Sequence, residues 1–220
     1  MAPIVYVDCM SPCSQSVALL QRAVPGLEAV TLTNVKLADG DCMKPEFVKK
    51  FPMHAVPALE DDGFYLWESH AICPYLMAAY AKDDKLYPKN DHKKRAKVDQ
   101  WLHFSNSILY VRLRDMSEPI WRQQTKTVPD AKKERVAAAL TDMETMMGNN
   151  KWLCGDEMTL ADICAVCEVN ASTALFGDIS QFKVVTAWVE RCRAAMAGFD
   201  DIVTKGNEGY KAALKFMMSS

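Results

Sequence analysis

Phe51-Pro52-Met53-His54-Ala55-Val56-Pro57-Ala58-Leu59-Glu60-Asp61-Asp62-Gly63-Phe64-Tyr65-Leu66-Trp67-Glu68-Ser69-His70-Ala71-Ile72 reads as a loop, a strand, a turn, a strand and a helix start. Val56-Pro57 is an X-Pro step just before a short apolar strand at Ala58-Leu59. Proline cannot donate to a ladder there, and a cis bond is expected between the two. Asp61-Asp62-Gly63 is a hairpin signal, and Phe64-Tyr65-Leu66 is the returning strand. Glu68-Ser69 opens an apolar helix through Ile72, Tyr75, Leu76 and Ala79. A serine at a helix start offers its hydroxyl and free backbone N–H groups to an anion, and Glu68 beside it suits an ammonium group. Strand-like backbone at Val56, an anion site at Ser69 and a cation site at Glu68 together suit a zwitterionic peptide laid along a sheet edge.

Upstream, Ile4-Val5-Tyr6-Val7 is a short buried strand and Asp8 to Ser14 a polar loop. An apolar helix runs from Gln15 through Val17, Leu19, Leu20 and Val24, stopped by Pro25-Gly26. Val30 to Val35 alternates as a second strand. Lys44-Pro45-Glu46 starts a short helix with proline in its first turn, ending near Lys50. With the hairpin and helix above, the order is β-α-β-α-β-β-α. That is a thioredoxin-like domain, a small sheet with helices on its faces. In such a domain the loop between the first strand and first helix carries chemistry. Here it is Asp8-Cys9-Met10-Ser11-Pro12-Cys13-Ser14-Gln15, facing a helix N-terminus that favours an anion.

The segments Pro52-x-His54-x-Val56-Pro57-x-Leu59, Asp62-Gly63 and Glu68-Ser69-His70-Ala71-Ile72 resemble the glutathione-binding half of cytosolic glutathione transferases, most like the insect delta and epsilon classes. The resemblance implies the glutathione transferase fold: an α/β thioredoxin-like domain at 1–80, a linker at 81–90 and an all-helical domain at 91–220. It implies Ser11 as the catalytic residue, donating a hydrogen bond to the glutathione sulfur and favouring thiolate over thiol. Ser11-Pro12-Cys13-Ser14 lines up with the Cys-Pro-x-Cys of glutaredoxins, with serine in both redox positions. Val56, with Pro57, would pair its backbone with the cysteinyl unit. Glu68 and Ser69 would hold the γ-glutamyl ammonium and carboxylate. His54 would lie near the glycyl end, and His70 takes a flanking position often filled by arginine or histidine. Cys42 stands where these classes usually have a histidine for the glycyl carboxylate, and Phe51 and Met53 replace their usual Asn and Gln. Weaker binding or a differently held glycyl end is the consequence expected.

The second half is helical. Ala81 to Asp91 is polar and contains Pro88. His92 to Asp115 reads as one long helix, Met116 to Pro129 as irregular chain broken by Pro119 and Pro129, and Ala131 to Met147 as a helix ended by Gly148. Thr159-Leu-Ala-Asp162 is a capping box, with Met158 and Ile163 spaced as its hydrophobic staple. Phe182 to Ala197 is another helix, and Tyr210 to Met217 an amphipathic tail. By resemblance, the second substrate lies in a cleft between the halves, walled by Ile108, Val111, Arg112, Met116, Ile120 and Tyr210, with the tail as a lid. Arg112 would face the cleft and steer an anion. Asp115 would make it more polar.

Composition bounds the rest. The net charge of −2 over 220 residues argues against nucleic acid as partner. No apolar run reaches membrane-spanning length, and the N-terminus reads as a strand and not a signal peptide. Eight cysteines scattered through helical patterns suit reduced thiols in a cytoplasmic protein. Cys164-Ala-Val-Cys167 has metal-like spacing but no second pair, so no metal is expected. Thirteen methionines are mostly core. The expected activity is attack of glutathione thiolate on small hydrophobic electrophiles, with glutathione as co-substrate, in a homodimer implied by the family. Three other readings stand beside it: a non-catalytic carrier of hydrophobic ligands, a thiol oxidoreductase acting through Cys9 or Cys13, and a glutathione-dependent isomerase or peroxide-reducing enzyme on the same site.

Overall fold

A computed structural model describes residues 2–219. Four short strands, β1 (Ile4–Val7), β2 (Thr31–Asn34), β3 (Ala58–Asp61) and β4 (Phe64–Trp67), form one sheet in the order β2-β1-β3-β4. β1 runs parallel to β2 and antiparallel to β3, which is antiparallel to β4. The helices interleaved with them are α1 (Pro12–Ala23), α2 (Pro45–Lys50) and α3 (Ser69–Ala79). This is the β-α-β-α-β-β-α order expected from the sequence. The β3–β4 turn places Asp62 and Gly63 at φ 46° and 83°. Two successive left-handed residues make the tight turn whose twist matches antiparallel strands, which is why Asp-Gly occurs there. The Val56–Pro57 bond is cis.

The register decides where the site falls. Ala58 pairs with Tyr6 on one side and with Trp67 on the other, and Val7 pairs with Asn34. The loops after β1, after β2, before β3 and after β4 therefore leave the sheet at one end. Both α1 and α3 begin at that end. Helix N-termini carry unpaired N–H groups and the positive pole of the backbone dipoles, so this rim attracts negative charge.

The rest of the chain is helical: α4 (His92–Phe104), α5 (Val111–Trp121), α6 (Asp130–Met147), α7 (Leu160–Phe176), α8 (Lys183–Ala195) and α9 (Lys205–Ser219). A π-helical stretch, Ser105–Tyr110, joins α4 to α5 without a break. The long helix thus continues to Trp121, past the Asp115 end expected from the sequence. Proline at 119 has no N–H for the Asp115 carbonyl, and Lys132 Nζ donates to that carbonyl at 2.6 Å instead. α1 likewise begins at Pro12 and not Gln15, because proline suits a first turn whose N–H would be unpaired anyway.

α7 is the axis of the molecule. Leu160, Ile163, Cys164, Val166, Cys167 and Val169 are buried along it and join Val17, Leu20, Ile72 and Leu76 of the first half in one core. Its start is fixed by the capping box, with Thr159 and Asp162 bonded reciprocally. Asp162 does more than cap. It also accepts from the Leu153 N–H at 3.0 Å and the Trp188 indole at 2.8 Å. Burial pushes its carboxyl up despite these donors.

Candidate functional site

Asp8 organises the loop after β1. It is buried, and its carboxylate accepts from the Met10 N–H at 2.9 Å and the Leu37 N–H at 3.0 Å, tying this loop to the one after β2. Ser11 follows as the N-cap of α1. Its Oγ accepts from the Ser14 N–H at 3.3 Å. Accepting that bond uses a lone pair and leaves the hydroxyl proton free to donate outward. Behind the loop, Gln15 Nε2 donates to the Cys9 carbonyl at 2.9 Å, and Gly206 of α9 packs so closely on both groups that no side chain fits at that position.

Cys13 sits one turn deeper and is buried. Burial first, and then the carboxylate of Glu168, push its thiol up to about 12. Roughly one molecule in 10⁵ would carry a thiolate there at neutral pH. Cys9 is exposed at the turn after Asp8.

The peptide-binding residues expected from the sequence divide. Val56 and Pro57 precede the last ladder pair, Ala58–Trp67, and Glu68 and Ser69 follow it, so the four lie side by side across the sheet. Glu68 holds φ 72°, an unusual backbone that turns the chain sharply into α3. Its carbonyl accepts from Ala71 and Ile72, which leaves the Ser69 and His70 N–H groups at the open first turn. Ser69 is 3% exposed. His54 is exposed at φ 43°, with Nδ1 3.2 Å from the Pro52 carbonyl.

Two of the expected ligand residues turn away. The Cys42 side chain is 3% exposed in a small core with Phe47, Phe51 and Ala58, and burial pushes its thiol up to about 11. Phe51 explains this placement. Its ring packs edge-on against Tyr6 and Tyr65 and tilts against Phe47, an apolar plug that takes Cys42 with it. His70 points inward, with Nε2 3.8 Å from Glu168 Oε1 on α7.

A cleft of about 490 Å³ opens in front of Ser11. The first half contributes Asp8, Met10, Ser11, Pro12, Leu37 and Ala38. The opposite wall is Tyr110, Leu113, Arg114, Ser117, Glu118 and Trp121, with Tyr210 and Met217 from α9. The spacing 110, 113/114, 117/118, 121 is one helical stripe. Of the six wall residues expected from the sequence, only Tyr210 lines it. Met116 and Ile120 are buried in the bundle, Ile108 packs on the main core, and Val111 is 49% exposed. Arg112 lies about 200° round the helix from Tyr110 at 100° per residue. Its guanidinium donates to the Arg135 carbonyl on α6 at 2.6 Å. Asp115 also serves α6, pairing with Lys132 and Arg135, both at 3.1 Å. The charge in the cleft is Arg114 instead. It bonds Glu118, which Arg122 also holds at 2.7 Å, and one of its N–H groups is 3.4 Å from the Tyr110 hydroxyl. Trp121 and Tyr210 face each other at 5.8 Å across the cleft mouth.

The chain has, then, an α/β half with helices on both faces of its sheet and a rim that gathers anion-binding groups, joined to a helical half that closes an amphipathic cleft over Ser11. Family models agree along its length: the N-terminal domain of glutathione S-transferase matches residues 7–78, and the C-terminal domain of glutathione S-transferase matches 69–195. A glutathione S-transferase D7 from Anopheles gambiae is 37% identical over 90% of this chain and 89% of its own length. A delta-class glutathione transferase from Nilaparvata lugens superposes with a TM-score of 0.90 at 33% identity, covering 98% of this chain and 99% of that one. An epsilon-class enzyme from the housefly, Musca domestica, superposes at 0.87 and 30% identity over 98% of both chains. The protein belongs to the glutathione S-transferase family, with likeness to both insect classes.

Proposed function

We propose that the protein joins the thiolate of glutathione to the electrophilic carbon of a small, largely apolar compound carrying a polar acceptor group. The observation that carries this is Ser11: a helix-capping hydroxyl with its proton free, at the floor of the cleft and at the positive end of α1. A sulfur placed there receives a hydrogen bond that favours the thiolate, and the helix dipole acts in the same direction. The residues 1–80 hold the peptide and 91–220 the electrophile, with 81–90 between them. The glutathione backbone runs along Val56 before the cis-proline. Its γ-glutamyl carboxylate takes the Ser69 hydroxyl and the open N–H groups of α3, and its ammonium group meets Glu68. His54 lies nearest the glycyl end. Cys42 has no part in binding, since it is sealed in its own core.

Tyr110, Leu113, Trp121 and Tyr210 supply apolar contact for the electrophile. Arg114, Ser117 and the Tyr110 hydroxyl face a nitro or carbonyl oxygen on which charge develops during attack. Holding both reactants in one cleft removes much of the entropic barrier to their meeting. Exposed Met53, Phe64 and Trp67 near β4 support a homodimer through this edge, and eight unpaired thiols suit the cytoplasm.

Conjugation of glutathione to a chlorodinitrobenzene-type electrophile, followed with rising glutathione, tests the reading. Saturable turnover is expected. Saturable glutathione binding with no turnover against a panel of electrophiles would replace it with the carrier reading. Loss of activity in Cys13→Ser but not in Ser11→Ala would replace it with the oxidoreductase reading.

A further inference from the structure

Glu168 sits midway along α7 and is 1% exposed. Its Oε2 accepts from the Ser105 hydroxyl. Its Oε1 has no hydrogen-bond partner, and neither has Nε2 of His70, which is 3.8 Å away and also buried. The other ring nitrogen of His70 lies 3.4 Å from Ser69 Oγ. A line of polar groups therefore crosses from the first turn of α3 to the helical half, with two buried valences left open at its middle. Nothing in the reaction described above uses Glu168. An open, buried acid facing an open, buried base is costly unless a proton passes between them or is gained by both.

We propose that Glu168 is a positioning residue: with His70 it forms a buried pair that shares one proton behind Ser69, and glutathione binding draws that proton from solvent into the pair where it is only partly filled. The inference rests on the reading of Ser69 as the carboxylate site. A bound carboxylate there is only a few ångströms beyond the His70 ring, so the protonated pair is favoured once the anion arrives. The proton comes from the buffer and ends on the pair, which answers the anion's charge and keeps the Ser69 hydroxyl directed outward.

The surroundings leave the pair in control of this charge. From α1 the Cys13 thiol faces it, and from α7 itself the Cys164 and Cys167 thiols do; burial holds Cys13 and Cys167 far above the usual range, and for Cys164 the hydrogen bond with Cys73 does so first and burial second. Burial likewise raises Tyr110. None of these ionises near neutral pH, and Glu68 at the rim is the other carboxylate felt at this junction. Burial pushes Glu168 up to about 8, against the hydrogen bond from Ser105. Proton exchange at Glu168 thus falls in the range where the protein can be assayed.

The test is calorimetric titration with S-hexylglutathione, which has no free thiol to release a proton, at pH 8 in buffers of different ionisation enthalpy. Wild type should take up about 0.4 of a proton per site if binding raises Glu168 by one unit from about 8. Glu168→Gln keeps the shape and can still accept from Ser105; it should take up none and bind several-fold more weakly. Should that variant fail to fold, His70→Asn removes the same pair and should lose the uptake as well. Binding to wild type without proton uptake, or equal uptake in wild type and a variant, overturns the proposal alone. No binding of S-hexylglutathione to wild type overturns the Ser69 reading first, and the proposal with it.

Discussion

Ser11 does two jobs that can be separated. As N-cap it accepts the Ser14 N–H; as donor it would hold the glutathione thiolate. Removing the cap costs about 1 kcal/mol when the replacement is alanine but only a few tenths when it is glycine. In a chain of this length 1 kcal/mol corresponds to a fall of about 2–4 °C in Tm. Removing a hydrogen bond to a charged group costs about 1.5–3 kcal/mol, which raises the bound thiol by about one to two pH units. Ser11→Ala should therefore lower Tm by about 2–4 °C, and Ser11→Gly by about 1 °C or less. Both should lose about 10- to 100-fold in kcat/KM near pH 6.5, and the loss should shrink as pH rises past the shifted thiol. The assay is conjugation across pH 6–9 beside thermal melts of all three proteins. Activity that tracks Tm, with glycine nearly wild type and alanine impaired at every pH, would refute the donor role and leave Ser11 as a cap.

Arg114→Ala should change kcat/KM several-fold between electrophiles with and without a nitro or carbonyl group. Arg112→Ala should leave those ratios alone and only lower Tm, since its guanidinium serves α6. Cys13→Ala should keep kcat/KM within about twofold, because the thiol is almost wholly protonated at neutral pH. Gly206→Ala puts a methyl group onto the Cys9 carbonyl and the Gln15 amide; a loss of about 1–3 kcal/mol in denaturant unfolding is expected, with a raised KM for glutathione as the Ser11 loop shifts. Glu168 has its folded value near 8, above the ordinary 4.5, so its contribution to stability is present below about pH 4.5 and is lost as pH rises toward 8. Glu168→Gln should unfold like wild type near pH 4.5 and gain on it by a few kcal/mol at pH 8 and above, measured by urea titration at each pH.

The alternation in Phe51–Ile72, the Asp62-Gly63 turn and the Thr159–Asp162 box are local, and each appears in the structure where the sequence puts it. Ser11 was legible through the family resemblance and the match of Ser11-Pro12-Cys13-Ser14 to a Cys-Pro-x-Cys motif, although the helix start at Pro12 was not. Other features were not. The helix from His92 to Trp121 is apolar on more than one side, because it faces the bundle and the cleft at once, so periodicity alone could not say which stripe meets the substrate. The wide turn of Ser105–Tyr110 then alters the angular register just before the cleft residues begin. Glu168 had a sequence signal, a charge inside the apolar run Ile163 to Val169, whose meaning depends on what lies opposite.

The sequence by itself determined the element order, the turns, the caps and the family, since these follow from neighbours a few residues apart and from a long, specific motif. Only the tertiary structure decided the direction of side chains set by distant partners. Phe51 and its aromatic neighbours draw Cys42 into a core, Arg135 and Lys132 take Arg112 and Asp115 away from the cleft, and Glu168 turns His70 inward. A side chain's direction is fixed by whichever contact buries or pairs it best, and here those partners lie 10 or more residues away, except for the short step from Cys42 to Phe47 and Phe51.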